Sequence, residues 1–192
     1  MKYLIGLVAM LLPIVSAAQS PPVKALAIGD TVPDITLTNV FNYPSSTIRL
    51  ADLKGKLVIL DFWATWCGSC IHGFPKLDSL QKKFSNTLQV MLVNNEGNSG
   101  SNEEKIKAFL RSWKIKTNGS FALSASISKN PALLQLFPHT FIPHYVWISP
   151  QGKVIAITSS EEVTAANIQA ALNGSSGKKS AKTGSLQFHP QN

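Results

Sequence analysis

The stretch Asp61–Cys70, with the sequence DFWATWCGSC, overlaps the end of the short apolar run Lys56–Phe62, KLVILDF. A continuous apolar run of this length is typical of a strand that is buried on both faces of a sheet. Apolar residues recur at helical spacing from Gly68 to Phe84 and predict a helix directly after the strand. We therefore expect Cys67 and Cys70 to lie where a buried strand meets the start of a helix.

This position gives the two cysteines different chemical properties. Free backbone N–H groups and the positive end of the helix dipole would face Cys67, which favours its thiolate and lowers its pKa from about 8.5. Cys70 would lie one turn further along the same face, close enough to form a disulfide. Cys67 is thus predicted to attack a partner's disulfide, and Cys70 to resolve the mixed disulfide that results.

A static disulfide and a half-built metal site are the alternatives for this pair. Zinc would need two further ligands, and the sequence contains no second CxxC and no paired histidine spacing. With two cysteines in all, the chain also has neither the multi-bridge framework of a small secreted scaffold nor four cysteine ligands for zinc. We expect no metal at this site.

Composition bounds the class of protein. The chain has 192 residues, of which 44% are hydrophobic and 15% charged, so one domain can bury a core and a disordered polymer is excluded. The formal net charge of +8 raises the question of nucleic acid or an anionic membrane as a partner. The positions of the charged residues along the chain decide whether such a partner is expected.

The two ends of the chain differ in composition from its centre. Residues 1–18 contain Lys2, a run of 12 apolar residues and the small residues Ser16-Ala17-Ala18, as in a cleaved signal peptide. Twelve residues are too few to span a hydrocarbon layer of roughly 30 Å, although an uncleaved anchor is the alternative. Cleavage after Ala18 would place the mature protein in the periplasm or another extracytoplasmic space.

Residues 174–192 are rich in Gly, Ser and Lys, and we expect a disordered basic tail there. The remaining body, residues 19–173, is predicted to be a single domain. It contains 14 basic and 10 acidic side chains, a net charge of +4. This excess is too small to argue for nucleic acid as a partner.

Hydrophobic patterning predicts alternating strands and helices in the body. Besides the central strand and helix, the predicted strands are Ile35–Thr38, Thr47–Leu50, Leu88–Asn94 and the hairpin Tyr145–Ser149 with Lys153–Thr158, and the predicted helices are Glu103–Trp113, Pro131–Phe137 and Thr164–Leu172, the last capped by Thr164. This order predicts an α/β fold, a mixed sheet with helices on both faces.

The segment Asp61–Cys70 resembles the active-site signature of the thioredoxin superfamily. Two earlier motifs, Gly29–Asp34 (GDTVPD) and Leu50–Lys56 (LADLKGK), resemble the N-terminal extension of the exported TlpA/ResA-like thiol-disulfide oxidoreductases. The resemblance implies a thioredoxin-like fold with a short N-terminal β extension. It also implies thiol-disulfide exchange without a bound cofactor.

A later segment resembles the same family. Ile142-Pro143 precedes an apolar strand and the turn Pro150–Lys153 (PQGK), as in the family's cis-proline segment, so the similarity covers residues from about 27 to 173. The resemblance implies that Pro143 is cis and that the backbone of Ile142 pairs with a bound partner chain. Trp66, next to Cys67, is expected in the exposed apolar rim that docks the partner.

Asp61 is the candidate general base. It ends the strand beneath the helix, where thioredoxin-like proteins keep a buried acid, and desolvation should raise its pKa toward neutrality. Many TlpA/ResA-like proteins have a second acid three residues after the second cysteine, but Gly73 stands there in this chain. The proton transfer would then depend on Asp61 alone. The residues between the cysteines, Gly68-Ser69, also differ from the Gly-Pro of thioredoxin.

Protein thiols or disulfides are the implied partners, with a membrane-embedded thiol protein as electron donor. Two other functions stay open. A copper or metal chaperone would use both cysteines with His72 or His144. A thiol peroxidase needs a PxxxTxxC arrangement, and here Thr65 stands two residues before Cys67 rather than three.

Overall fold

A computed structural model describes residues 23–94, 103–127 and 131–175 of the chain. The predicted signal peptide lies outside the described residues, as do residues 176–192 of the predicted tail. The elements in chain order are β1 (Thr36–Leu37), β2 (Val40–Phe41), β3 (Ile48–Arg49), a 3-10 helix (Leu50–Leu53), β4 (Leu57–Trp63), α1 (Gly68–Lys83), β5 (Leu88–Asn94), α2 (Glu103–Lys116), β6 (Ser124–Ile127), α3 (Pro131–Leu136), β7 (His144–Ile148), β8 (Val154–Thr158) and α4 (Ala165–Ser175).

Six strands form one mixed sheet in the order β2-β6-β5-β4-β7-β8. Strands β4, β5 and β6 are parallel, whereas β7 pairs antiparallel with both β4 and β8, and β2 pairs antiparallel with β6. Strands β1 and β3 form a separate antiparallel pair. The predicted fold class, a mixed α/β sheet with a short N-terminal β extension, is confirmed.

Strand β4 separates two apolar clusters because its side chains alternate between the faces of the sheet. Leu57, Ile59 and Trp63 belong to the first cluster, which also takes residues from α1, α2 and α4. Val58, Leu60 and Phe62 belong to the second, with residues of α3 and the N-terminal extension. Helices therefore cover both faces, and Asp61 alternates onto the face of the first cluster.

Two strands escaped prediction. Strand β6 has the sequence SASI. Its shortness and its two serines are typical of a loop, so the sequence does not indicate a strand there. Its serines are buried because their hydroxyls donate to backbone carbonyls of the N-terminal extension: Ser124 to Asn42 and Ser126 to Thr38. The same docking creates β2, whose two residues pair with β6 and extend the central sheet.

Two helices extend at least two residues beyond their predicted ends. Helix α2 continues three residues beyond Trp113 to Lys116, and α4 continues to Ser175, two residues into the stretch assigned to the tail. The predicted cap of α4 is confirmed, since the hydroxyl of Thr164 accepts a hydrogen bond from the N–H of Asn167 at 3.2 Å. Within the described ranges, no helix is both long and apolar enough to cross a membrane.

Candidate active site

Cys67 and Cys70 form a disulfide at the first turn of α1. Cys67 is the N-cap residue of the helix, in extended conformation, and its sulfur accepts a hydrogen bond from the backbone N–H of Cys70 at 3.2 Å. The predicted position of the pair at the strand-to-helix junction is thus confirmed. A sulfur held at this point lies where the N–H groups of the helix favour negative charge.

The two cysteines differ in their exposure to solvent. Cys70 is completely buried, whereas Cys67 retains 5% of its surface and is followed by the exposed residues Gly68 and Ser69. The hydroxyl of Ser69 lies 3.5 Å from the Cys67 sulfur. Only Cys67 can therefore be reached first by a partner, and it has a hydroxyl beside it.

Asp61 is fully buried in β4, on the face of the sheet that carries the cluster containing Cys70. Neither carboxyl oxygen has a hydrogen-bond partner among the described residues. Burial raises the pKa of Asp61 well above its ordinary value, because desolvation penalises the charged form. The direction of this shift agrees with the prediction from sequence.

The bond between Ile142 and Pro143 is cis, as the resemblance implied. Strand β7 starts at the next residue, His144, which pairs with Phe62 near the carboxyl end of β4. Since α1 also begins beyond that end of β4, the cis-proline segment lies at the same end of the sheet as the disulfide. The side chain of Ile142 is half-buried and packs against both apolar clusters.

Two aromatic side chains near these segments are exposed. Trp66, next to Cys67, is 70% exposed, as predicted for the apolar rim, and Phe141, next to Ile142, is 82% exposed. Phe141 was missed from the sequence because nothing in its spacing distinguishes it from a core residue. Trp63 is buried, with its ring centroid 5.2 Å from that of Phe74.

Sequence reasoning also missed Tyr145. It stands directly opposite Asp61 in the antiparallel pairing of β7 with β4, so both side chains lie on the same face of the sheet. It is 1% exposed and belongs to the cluster of Cys70. Strand alternation could place Tyr145 beside Trp147 on one face, but only the register between the strands places it opposite Asp61.

The histidines considered as copper ligands lie elsewhere. His72 is exposed on α1. His144 and Tyr145 lie on opposite faces of β7. The ring of His144 stacks on that of His139, with 4.8 Å between the centroids, and packs against Phe62. In the part of the chain that the structure describes, no three His, Cys, Asp or Glu side chains are grouped to hold a metal ion.

A strand order of this kind, with a CxxC disulfide opening the helix that follows a central buried strand, defines the thioredoxin-like class of proteins. The chain belongs to the AhpC/TSA family, whose model matches residues 28–157. The predicted relationship to thioredoxin-like proteins is confirmed by this match and by solved structures.

Curated relatives include two proteins of Bacillus subtilis. The chain is 26% identical to the thiol-disulfide oxidoreductase ResA over 137 residues, which cover 71% of this chain and 69% of ResA. It is 37% identical to the thioredoxin-like protein YneN over 87 residues, which cover 45% of this chain and 49% of YneN. The match therefore spans about half the length of YneN.

Two solved structures extend the comparison. A structure described as the thiol:disulfide interchange protein DsbE of Chlorobium tepidum superposes with a TM-score of 0.56 and 26% identity, covering 77% of this chain and 99% of that one. The exposed lipoprotein thioredoxin Etrx1 of Streptococcus pneumoniae gives a TM-score of 0.53 and 28% identity over 66% of this chain and 89% of its own. The relatives place the chain in the thiol-disulfide oxidoreductase class, as predicted.

Proposed function

We propose that the protein is an exported thiol-disulfide oxidoreductase that reduces disulfides of partner proteins through Cys67 and Cys70. The single observation that carries this proposal is the disulfide at the N-terminus of α1, with one sulfur near the surface and the other buried on the same face as a carboxyl group of raised pKa. A static structural disulfide needs neither the helix N-terminus nor a buried acid. A pair that must be opened and closed uses both.

The first step would be an attack by Cys67. In the reduced protein its thiolate, stabilised by the N–H of Cys70 and the helix N-terminus, attacks one sulfur of a partner disulfide. A bond forms between the Cys67 sulfur and that sulfur, and the partner's other sulfur leaves as a thiolate that takes a proton from water. The product is a mixed disulfide between the two proteins.

The second step would release the partner. Asp61 accepts the proton of the Cys70 thiol, and the resulting Cys70 thiolate attacks the sulfur of Cys67. The bond between Cys67 and the partner breaks, and the partner's second sulfur leaves as a thiolate that is then protonated. Two electrons have moved to the partner, and the Cys67–Cys70 disulfide of the structure is regenerated.

Partner binding would use the surface around Cys67. The exposed ring of Trp66 offers apolar contact, and the Ile142-Pro143 segment presents backbone to an extended partner chain. Pairing through backbone atoms tolerates different partner sequences, because side chains do not form those hydrogen bonds. This arrangement suits an enzyme that acts on several proteins.

Export and an external electron donor complete the proposal. The leader-like residues 1–18 support export, and the similarity to ResA and to a surface-exposed thioredoxin supports an extracytoplasmic location. A single dithiol must be reduced again after each turnover, so we propose that a membrane-embedded thiol protein supplies the electrons. The proposed substrates are the thiols and disulfides of partner proteins.

Reduction of insulin disulfides by the purified protein, with dithiothreitol as reductant, tests the proposal. Cys67→Ser should abolish catalysis, and Cys70→Ser should accumulate mixed disulfides that mass spectrometry detects. Ser79→Ala, a change at an exposed serine on the same helix, should leave both readouts unchanged. Full activity in Cys67→Ser would overturn the catalytic assignment.

The same preparations separate the two other functions. Copper bound by the unmodified protein but not by Cys67→Ser, in the absence of disulfide reduction, would indicate a metal chaperone. Rapid turnover of hydrogen peroxide without insulin reduction would indicate a thiol peroxidase. Either result would replace the oxidoreductase proposal.

A further inference from the structure

The buried hydroxyl of Tyr145 has no part in the steps above, yet it lies beside them. Tyr145 is directly opposite Asp61 across the β4–β7 pair, and Cβ atoms of opposed residues in such a pair are about 4.5–5.5 Å apart. Both side chains are buried against the cluster that contains Cys70. The phenol and the carboxyl group therefore lie on the face of the sheet that packs against the cluster of the resolving cysteine.

The Tyr145 hydroxyl lies close to Gly73 of α1. A Cβ atom built on Gly73 would lie 3.5 Å from the Tyr145 oxygen, which is ordinary van der Waals contact. Gly73 follows Cys70 by three residues, so the Tyr145 hydroxyl lies near α1 about one helical turn beyond the buried sulfur. It thus lies where the sheet packs against the helix that carries both cysteines.

The other groups around Asp61 are mostly apolar. On its own strand Ile59 and Trp63 share its face, Leu92 is its neighbour on β5, and Cys70 of α1 belongs to the cluster on that face. Among the described residues, Tyr145 is the ionisable group whose pKa the charge of Asp61 raises, in addition to the larger effect of burial. Tyr145 therefore keeps its proton at neutral pH and can act only through its neutral hydroxyl.

We propose that Tyr145 is a positioning residue: once Asp61 is ionised, the hydroxyl of the opposed Tyr145 turns to donate to the carboxylate, which has no hydrogen-bond partner among the described residues, and stabilises it for taking the proton of Cys70. The proton moves from the Cys70 sulfur to a carboxyl oxygen of Asp61, and Tyr145 retains its own. The catalytic part of this inference depends on the proposed function, whereas the pairing of Tyr145 with Asp61 does not. A hydroxyl that donates to a carboxylate favours the charged form.

Tyr145→Phe removes the hydroxyl and keeps the ring. In the oxidised protein, the carboxyl stretch of protonated Asp61 can be followed by infrared spectroscopy against pH, with Asp61→Asn identifying the band. The variant should move the midpoint upward by about one pH unit, since the ionised carboxylate loses the donor proposed for it. Tyr43→Phe, which removes the hydroxyl of a tyrosine packed against the second cluster, should leave the midpoint unchanged.

A second change acts in the opposite direction. Incorporation of 3-fluorotyrosine at position 145 strengthens the hydroxyl as a donor and should lower the midpoint. It also provides a test if Tyr145→Phe fails to fold. An unchanged midpoint with both changes, or shifts of the opposite sign, would overturn the proposal.

The rate of the Cys70 attack then tests whether the interaction of Tyr145 with Asp61 affects the reaction. Ellman's reagent converts the reduced protein to a mixed disulfide on Cys67. Attack by Cys70 then releases a coloured thiolate, and the rate of this release is measured against pH. The midpoint of that profile should move with the infrared midpoint in Tyr145→Phe, and binding of the reagent should not change. An infrared shift without a kinetic shift would overturn the catalytic role of Tyr145.

Failure of the proposed function is distinguishable from this result. If the unmodified protein does not reduce insulin, the oxidoreductase proposal falls. The infrared midpoint of the oxidised protein still decides whether Tyr145 stabilises the Asp61 carboxylate.

Discussion

The backbone N–H of Cys70 donates a hydrogen bond to the sulfur of Cys67 at 3.2 Å. One residue of the pair therefore caps the helix with its sulfur, while the other supplies a donor to that sulfur from its backbone. A donor in this place stabilises a thiolate more than a thiol, because the interaction strengthens with negative charge. The first turn of α1 thus biases Cys67, rather than Cys70, toward the nucleophile.

Ser69→Ala tests whether a second donor contributes to this bias. The hydroxyl of Ser69 lies 3.5 Å from the Cys67 sulfur, and its loss should raise the pKa of the Cys67 thiol in the reduced protein by about half a unit. The rate of alkylation by iodoacetamide against pH measures this pKa. Ser79→Ala, on the same helix but exposed and remote from the sulfurs, serves as the control; an equal shift there would remove Ser69 from the mechanism.

Asp61→Asn should increase the stability of the oxidised protein at neutral pH. Burial raises the pKa of Asp61 in the folded protein above the 3.8 of an exposed carboxyl, so the unfolded chain ionises first as the pH rises. The wild type therefore loses stability upward from that value, by about 1.4 kcal/mol for every unit of the shift, until the folded pKa is reached. Asparagine does not titrate and avoids this loss.

Urea unfolding of both proteins across the pH range measures the difference. The advantage of Asp61→Asn should grow from about pH 4 upward and vanish below about pH 3, where both states hold the proton. Asp34→Asn, at an exposed carboxyl of the N-terminal extension, is a comparison that should not show this rise. A difference independent of pH would contradict the raised pKa of Asp61.

Trp66→Ala and Phe141→Ala should weaken the binding of protein partners. Both rings are largely exposed, so truncation should change the free energy of unfolding little, while the KM for a protein disulfide should rise several-fold through lost apolar contact. Turnover of a small disulfide such as Ellman's reagent should be unaffected. Ile115→Ala, at another exposed apolar side chain (76%), should change neither. Equal effects on small and protein disulfides would contradict a docking role.

His144→Gln should remove an acid-dependent loss of stability. Burial, and to a lesser extent the neighbouring His139, lowers the pKa of His144 to about 4 from 6.5. The unfolded chain therefore binds a proton first, and stability that is present above 6.5 is lost as the pH falls toward 4. Urea unfolding between these values should show a weaker decline in the variant. His72→Gln, at an exposed histidine, should retain the full decline.

Patterns within short segments predicted much of the fold and part of the site. The apolar run before Cys67 became β4 within one residue, and helical spacing placed the start of α1 correctly, because buried strands and amphipathic helices leave local periodicities. The four residues of β6 left no such signal. Their burial depends on hydroxyl contacts with backbone carbonyls some 80 residues earlier in the chain.

The sequence by itself determined the CxxC pair, its place at a strand-to-helix junction and the buried position of Asp61, since each depends on neighbouring residues along the chain. Tertiary structure alone decided that Tyr145 stands opposite Asp61 and that His144 turns away from the sulfurs. Strand alternation assigns side chains to two faces, but the register between β4 and β7 decides which of them meet. That register is a long-range property, set when the strands pack together.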